Sequence, residues 1–249
     1  MSTGAGSRCD RIALVTHVNA FVGLASAEAL ARSGMTVVCH DPAFADDQTR
    51  TQFANAHTDL RVIAEQNPAD MAAAVTHTFE RVDVLVNNDP FPAIRAPIEH
   101  ARLEDLRAGL DALVAAPFAL AQAVAPQMKE RRAGKIIFVT SAAPFHGLAN
   151  YSMYVAARGG ANALAVSLAR ELAAFNIQVN AVAPNFVESP TYFPPQLLAD
   201  PQALGKITRN IPLGRLGKPR EVGELVAFLA SGEADFITGH VMPIAGGWA

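Results

Sequence analysis

Three residues of this chain carry types and spacings that suit acid–base chemistry. Ser141 is followed thirteen residues later by Tyr154, and Arg158 comes four residues after that. A spacing of four puts Tyr154 and Arg158 on one face of a helix. A tyrosine with its ordinary pKa of about 10 is a poor base at neutral pH. A fixed cation beside it favours the phenolate and lowers that pKa. Arg158 stays protonated, so it supplies the field without titrating. Lowering the phenol by roughly three units takes about 4 kcal/mol of differential stabilisation. A guanidinium in a partly dry cleft, helped by one serine hydrogen bond, supplies most of that. Ser141 is then a donor or acceptor to a substrate oxygen. The same triplet also fits a plain structural Tyr–Arg pair, so its surroundings must decide.

Those surroundings are set by alternating strands and helices. Short runs that are apolar on both faces and rich in β-branched residues are buried parallel strands. They fall at 12–16, 36–40, 60–63, 82–87, 135–141, 177–183 and within 236–244. Helical patterns lie between them. One covers 23–33 and ends at Gly34, one opens on Pro68 and runs to 81, and others cover 103–132, 151–175 and 221–231. This alternation predicts an α/β fold, a single doubly wound domain over 1–249 with a seven-stranded parallel sheet flanked by helices. Ligands of open α/β sheets bind beyond the C-terminal strand ends. The chemistry is therefore expected near Thr16, Asn87, Ser141 and Ala183. The stretch 184–217, rich in Pro and aromatics, is too long for a plain connection and has the character of a substrate lid.

The first strand–helix turn is where a dinucleotide would bind on bare glycine backbone. Here the turn runs from Thr16 through His17 and Phe21 to Gly23, and one glycine is left. Phe21 fills space that a nucleotide would need. His17 reads as a packing or capping residue. The end of the fourth strand is Asn87, Asn88, Asp89, Pro90. A carboxylate at Asp89 repels phosphates unless a cation pairs it, and Pro90 removes a backbone donor.

The whole pattern resembles the short-chain dehydrogenase/reductase superfamily, over nearly the full chain. The resemblance rests on Asn87-Asn88, Ser141, Tyr154 with a basic residue four on, the run 179–184, and the end with Thr238, Gly239, Gly246 and Gly247. The chain departs from that pattern at the glycine loop, at Asp89-Pro90, and at Arg158 in place of lysine. These departures resemble one branch, the halohydrin dehalogenases. Its T-x4-F-x-G loop is met by Thr16, Phe21 and Gly23, and its S-x12-Y-x3-R set by Ser141, Tyr154 and Arg158.

The resemblance implies a Rossmann-like fold and a cofactor-independent enzyme without metal. Vicinal haloalcohols would become epoxides with release of halide and a proton. The reverse reaction would open epoxides with halide or with small anions such as azide, cyanide and nitrite. Tyr154 would be the base, Ser141 would hold the substrate oxygen, and Arg158 would keep Tyr154 acidic. A halide site would lie opposite, formed by Phe21, Pro184, Asn185, Phe186 and Val187. Asp89 would pair with Arg158 or carry the proton outward. Phe91, Phe145, Leu148, Tyr151, Tyr192 and Phe193 would line the substrate pocket, and Trp248 is placed to reach a neighbouring subunit's site. The superfamily pairs its two long helices between subunits. Small residues on 103–132 and 151–175 then suggest a homotetramer.

Composition narrows the alternatives. The net charge of -3 and scattered basic residues argue against a nucleic-acid partner. Two cysteines, Cys9 and Cys39, exclude a disulfide framework, and Cys39 sits in an apolar run. The polar start and the short apolar stretch 112–126 predict neither a secretory signal nor a membrane span, hence a cytoplasmic protein. The seven histidines lack metal-site spacing. Two rivals remain: an NAD(P)-dependent reductase with an eroded glycine loop, and a non-catalytic protein on the same fold.

Overall fold

The computed structural model describes residues 11–190 and 192–249, so Cys9 and the polar start lie outside the described residues. Seven parallel strands form one sheet in the order β3-β2-β1-β4-β5-β6-β7. They are β1 (Ile12–Val15), β2 (Thr36–His40), β3 (Leu60–Ile63), β4 (Val84–Asn87), β5 (Gly134–Val139), β6 (Ile177–Pro184) and β7 (Val241–Ile244). Successive side chains of a strand face opposite layers. Ala13 and Val15 of β1 join the apolar cluster that holds Leu30, Phe44 and Val226. Ile12 and Leu14 join the cluster that holds Leu120, Ile136 and Ala165. Burial on both faces is why these strands read as continuous apolar runs.

The helices are α1 (Gly23–Arg32), α2 (Asp47–Ala56), α3 (Pro68–Phe79), α4 (Leu103–Leu110), α5 (Ala116–Arg131), α6 (Ala143–His146), α7 (Ser152–Leu172), α8 (Pro195–Leu198), α9 (Pro201–Thr208) and α10 (Pro219–Ala230). α1 and α10 pack closely enough that a Cβ on Gly223 would lie 2.4 Å from the Ala25 carbonyl oxygen. A π-helical turn, Asp111–Ala115, joins α4 to α5.

The expected absence of a span-length apolar segment is corrected. Leu103–Arg131 is one 29-residue helical rod, long and apolar enough by length and composition to cross a membrane. Leu113, Leu120, Ala121, Val124 and Met128 of this rod are nevertheless buried within the protein. Two further expectations change. β5 ends at Val139, which leaves Thr140 and Ser141 just beyond it, while β7 falls within 236–244 as expected. The stretch 184–217 is not wholly irregular, because it holds α8 and α9, with Asp200 capping α9. A bridge between Val187 and Gly217 closes its two ends.

Candidate functional site

Ser141 leaves the end of β5, and α7 passes that end with Tyr154, Arg158 and Asn162 at four-residue steps along one face. Arg158 is buried, 3% exposed. Its Nε donates to Tyr154 Oη at 3.3 Å and its Nη1 to the Val139 carbonyl at 3.2 Å. Asn162 Nδ2 donates to the Ser141 carbonyl at 3.3 Å, and the Ala143 N–H donates to Ser141 Oγ at 3.1 Å. The three expected residues thus meet at one strand end.

The electrostatics separate two tyrosines. Burial raises the Tyr154 phenol, but the Arg158 charge and hydrogen bond outweigh it, with smaller help from Ser141 and Tyr192. The net direction is below the ordinary value. Tyr192 goes the other way, pushed up to about 12 by burial and by the charge of Tyr154. It donates its hydroxyl to the Phe91 carbonyl at 3.1 Å. Neighbouring groups whose pKa values are pushed apart divide into acid and base; here Tyr154 is the one drawn toward its charged form.

Ser141, Tyr154 and Arg158 open into a cavity of about 300 Å³. One wall is Phe21 with Pro184, Asn185, Phe186 and Val187. Leu148, Tyr151, Tyr192 and Phe193 complete it, together with Ala93, Thr140 and Ala143. The wall expectation for two phenylalanines is corrected. Phe91 packs its ring against Gly109 of α4 and offers the site only its carbonyl. Phe145 sits on the short α6 with its side chain turned to solvent, 52% exposed. Trp248 packs edge-on against Phe186 of its own chain, with centroids 5.6 Å apart. His146 Nε2 holds the Trp248 carbonyl at 2.6 Å.

The first loop has the backbone of a glycine turn with larger side chains on it. His17 and Phe21 have φ of 48° and 47°, and Phe186, which also lines the cavity, has 54°. Residues other than glycine are uncommon there, and such strain clusters at functional sites. Asn88 ties the loop down: its N–H donates to Thr16 Oγ1, and its Nδ2 donates to the carbonyls of His17 and Ala20. The Phe21 ring stands edge-on to Tyr192 at 5.6 Å. Asp89 is buried, with His17 Nδ1 3.4 Å from its Oδ1. Burial pushes its carboxyl up to about 7, while Arg158 pulls it back down.

A nicotinamide dinucleotide does not fit these residues. The positions where a pyrophosphate would approach bare backbone carry His17 and Phe21, and the Phe21 ring is already packed on Tyr192 inside the cavity. Among the described residues, no group of three His, Cys, Asp or Glu side chains is arranged to hold a metal ion. The sequence reading missed Asn162 and took Asn88 only as part of a strand end. Asn162 was legible as the next step of the Tyr154–Arg158 stripe. Asn88 was legible only as part of a strand end, because its partners lie some seventy residues away.

Comparison with known proteins agrees with this geometry. The family model described as enoyl-(acyl carrier protein) reductase matches residues 19–249. The 3-oxoacyl-(acyl-carrier-protein) reductase FabG of Thermotoga maritima is 32% identical over 243 residues, covering 95% of this chain and 97% of that protein. A solved structure described as a dehalogenation enzyme is 47% identical with a TM-score of 0.94, covering 96% of this chain and 98% of its own. A halohydrin dehalogenase (HheC) bound to ethyl (2S)-oxiran-2-ylacetate is 44% identical with a TM-score of 0.92, covering 95% and 96%. With its eroded glycine loop and its Ser-Tyr-Arg set, the chain belongs to the halohydrin dehalogenase branch of the short-chain dehydrogenase/reductase superfamily.

Proposed function

We propose that this protein converts vicinal haloalcohols to epoxides without a cofactor, releasing halide and a proton. The observation that carries the reading is a buried Tyr154 drawn below its ordinary pKa by Arg158, opening into a cavity also lined by Phe21, Phe186, Tyr192 and Phe193. In this reading Ser141 holds the substrate hydroxyl and Tyr154 takes its proton. The alkoxide attacks the neighbouring carbon from behind, the carbon–halogen bond breaks, and halide leaves on the far side. Backside displacement requires the leaving group opposite the oxygen, next to Phe21, Asn185, Phe186 and Val187. A large, weakly hydrated anion suits aromatic ring edges, which carry partial positive charge. The same site then accepts azide, cyanide or nitrite for epoxide opening. A cavity of about 300 Å³ is at the small end of ligand sites, so small haloalcohols and epoxides are the substrates of choice.

The assembly we infer is a homotetramer. Phe118 is 42% exposed on α5. It borders a groove between α5 and α7 whose lining mixes Pro126, Leu168 and Leu172 with Gln122, Lys129 and Glu171. An exposed phenylalanine beside a groove of mixed apolar and charged residues along two adjoining helices suits pairing with a second copy.

The test is bromide release from a small vicinal bromoalcohol with no added cofactor, for wild type beside Tyr154→Phe. Release by wild type and none by the variant is expected. A folded wild type that releases no bromide sinks the reading. The reductase relatives favour one rival, which NADPH binding and oxidation would support.

A further inference from the structure

Ser141 lies beyond the last residue of β5, so the sheet alone does not hold its backbone on both sides. Alternate residues of a central strand bond to opposite neighbours. On the odd-numbered side of β5, the Lys135 N–H donates to the Asp83 carbonyl, just before β4. On the even-numbered side, the Thr140 N–H donates to the Val182 carbonyl and the Ala142 N–H to the Pro184 carbonyl. Pairing with β6 thus runs past Ser141. Pairing with β4 does not, because β4 stops at Asn87, opposite Phe138. The next residue turns away, and the Asn88 N–H donates to Thr16 Oγ1. The carbonyls of Val139 and Ser141 therefore point past the end of β4, where no strand is left to pair them. A buried carbonyl without a donor is costly.

The helix α7 supplies both donors. Arg158 Nη1 donates to the Val139 carbonyl at 3.2 Å, and Asn162 Nδ2 to the Ser141 carbonyl at 3.3 Å. Two residues along a strand cover about 6.6 Å, and four along a helix about 6 Å. Side chains at 158 and 162 therefore match carbonyls at 139 and 141 rung for rung. Asn162 is buried, and its Oδ1 has no hydrogen-bond partner among the described residues. Its packing neighbours along α7, Ala157, Ala161 and Ala165, are apolar and buried. An apolar side chain would spare the fold an unpaired amide oxygen, so the donating nitrogen is what the position uses.

We propose that Asn162 is a positioning residue for the reaction, holding the Ser141 carbonyl so that Ser141 Oγ stays aimed at the substrate oxygen. The Ala143 N–H donates to that Oγ at 3.1 Å, which leaves the serine's own proton to donate to the substrate. Asn162 is not part of the cavity wall and acts only through Ser141. The inference rests on the dehalogenase reading.

The test measures bromide release from a small vicinal bromoalcohol by wild type, Asn162→Leu and Asn162→Asp across pH. Leucine keeps the branch at Cγ and removes the donor. Asn162→Leu is expected to melt within a few degrees of wild type and to lose about tenfold in kcat/KM, a modest loss for a misplaced group. Its pH midpoint and its bromide affinity should not move, because Arg158 and the halide wall are untouched. An aspartic acid donates only when protonated, so the activity of Asn162→Asp relative to wild type should rise as pH falls, while that of Asn162→Leu stays level. Single turnovers with enzyme in excess then compare Ser141→Ala with and without Asn162→Leu. There the leucine should cost less than about twofold, since residues that act as one unit are not additive. Equal losses in the two backgrounds overturn the proposal. So do a wild-type kcat/KM in Asn162→Leu, a shifted pH midpoint, or an Asn162→Asp ratio that stays level. A wild type that releases no bromide sinks the dehalogenase reading and takes the proposal with it.

Discussion

Arg158 acts on Tyr154 through charge, and its removal has a definite sign. Burial alone raises the phenol, so without the guanidinium the pKa climbs above its ordinary value. Arg158→Met is expected to lower bromide release at neutral pH by about 10³-fold, within the range of lost general-base catalysis. The activity of that variant should recover toward alkaline pH, which a pH–rate profile checks. His17 leaves a signature in stability as well. Its folded pKa of about 4 lies below the unfolded 6.5, so its contribution is full above pH 6.5 and is lost as pH falls toward 4. The shift corresponds to at most about 3 kcal/mol. Asp89 has the opposite slope: raised to about 7, it favours the folded state most at low pH and loses that contribution as pH rises. Compared with wild type, His17→Asn should lose less melting temperature between about pH 7 and pH 4. Equal losses in the two proteins would contradict the burial assigned to the ring.

The elements explain why some of this was legible in the sequence and some was not. The strand runs announce themselves because both faces are buried, and Ser141, Tyr154 and Arg158 follow from strand end and helix spacing. α2 escaped notice because Phe53 is its single buried side chain. Its signal was Asp46, which caps the helix by accepting the Thr49 N–H. Phe91 and Phe145 were misplaced for another reason. Both lie near the expected strand ends, but the direction of a side chain in a loop or a four-residue helix does not follow from spacing. The first loop was legible as a missing glycine motif, yet its shape depends on Asn88 and on close packing at Gly23. A Cβ on Gly23 would lie 2.6 Å from the His17 carbonyl oxygen and 2.8 Å from Asn88 Nδ2. Gly23→Ala should cost about 1–3 kcal/mol in thermal unfolding, as overpacking does. It should also reduce bromide release beyond what that loss explains, because Phe21 shifts with the turn.

The whole molecule is one parallel sheet with its chemistry gathered beyond the C-terminal ends of its central strands and a groove between α5 and α7. The low share of charged residues, 17%, fits a surface partly covered by other copies. Phe118→Glu is expected to leave species smaller than a tetramer in light scattering, while the melting of the single chain changes by less than about 1 kcal/mol, as for an ordinary surface substitution. An unchanged mass would place the interface elsewhere. The first loop also bears on how the chain can change. His17 and Phe21 occupy backbone conformations that glycine adopts without strain. Returning either position to glycine therefore requires no rebuilding of the chain. Single substitutions can therefore exchange side-chain bulk for bare backbone in this loop while its path stays the same.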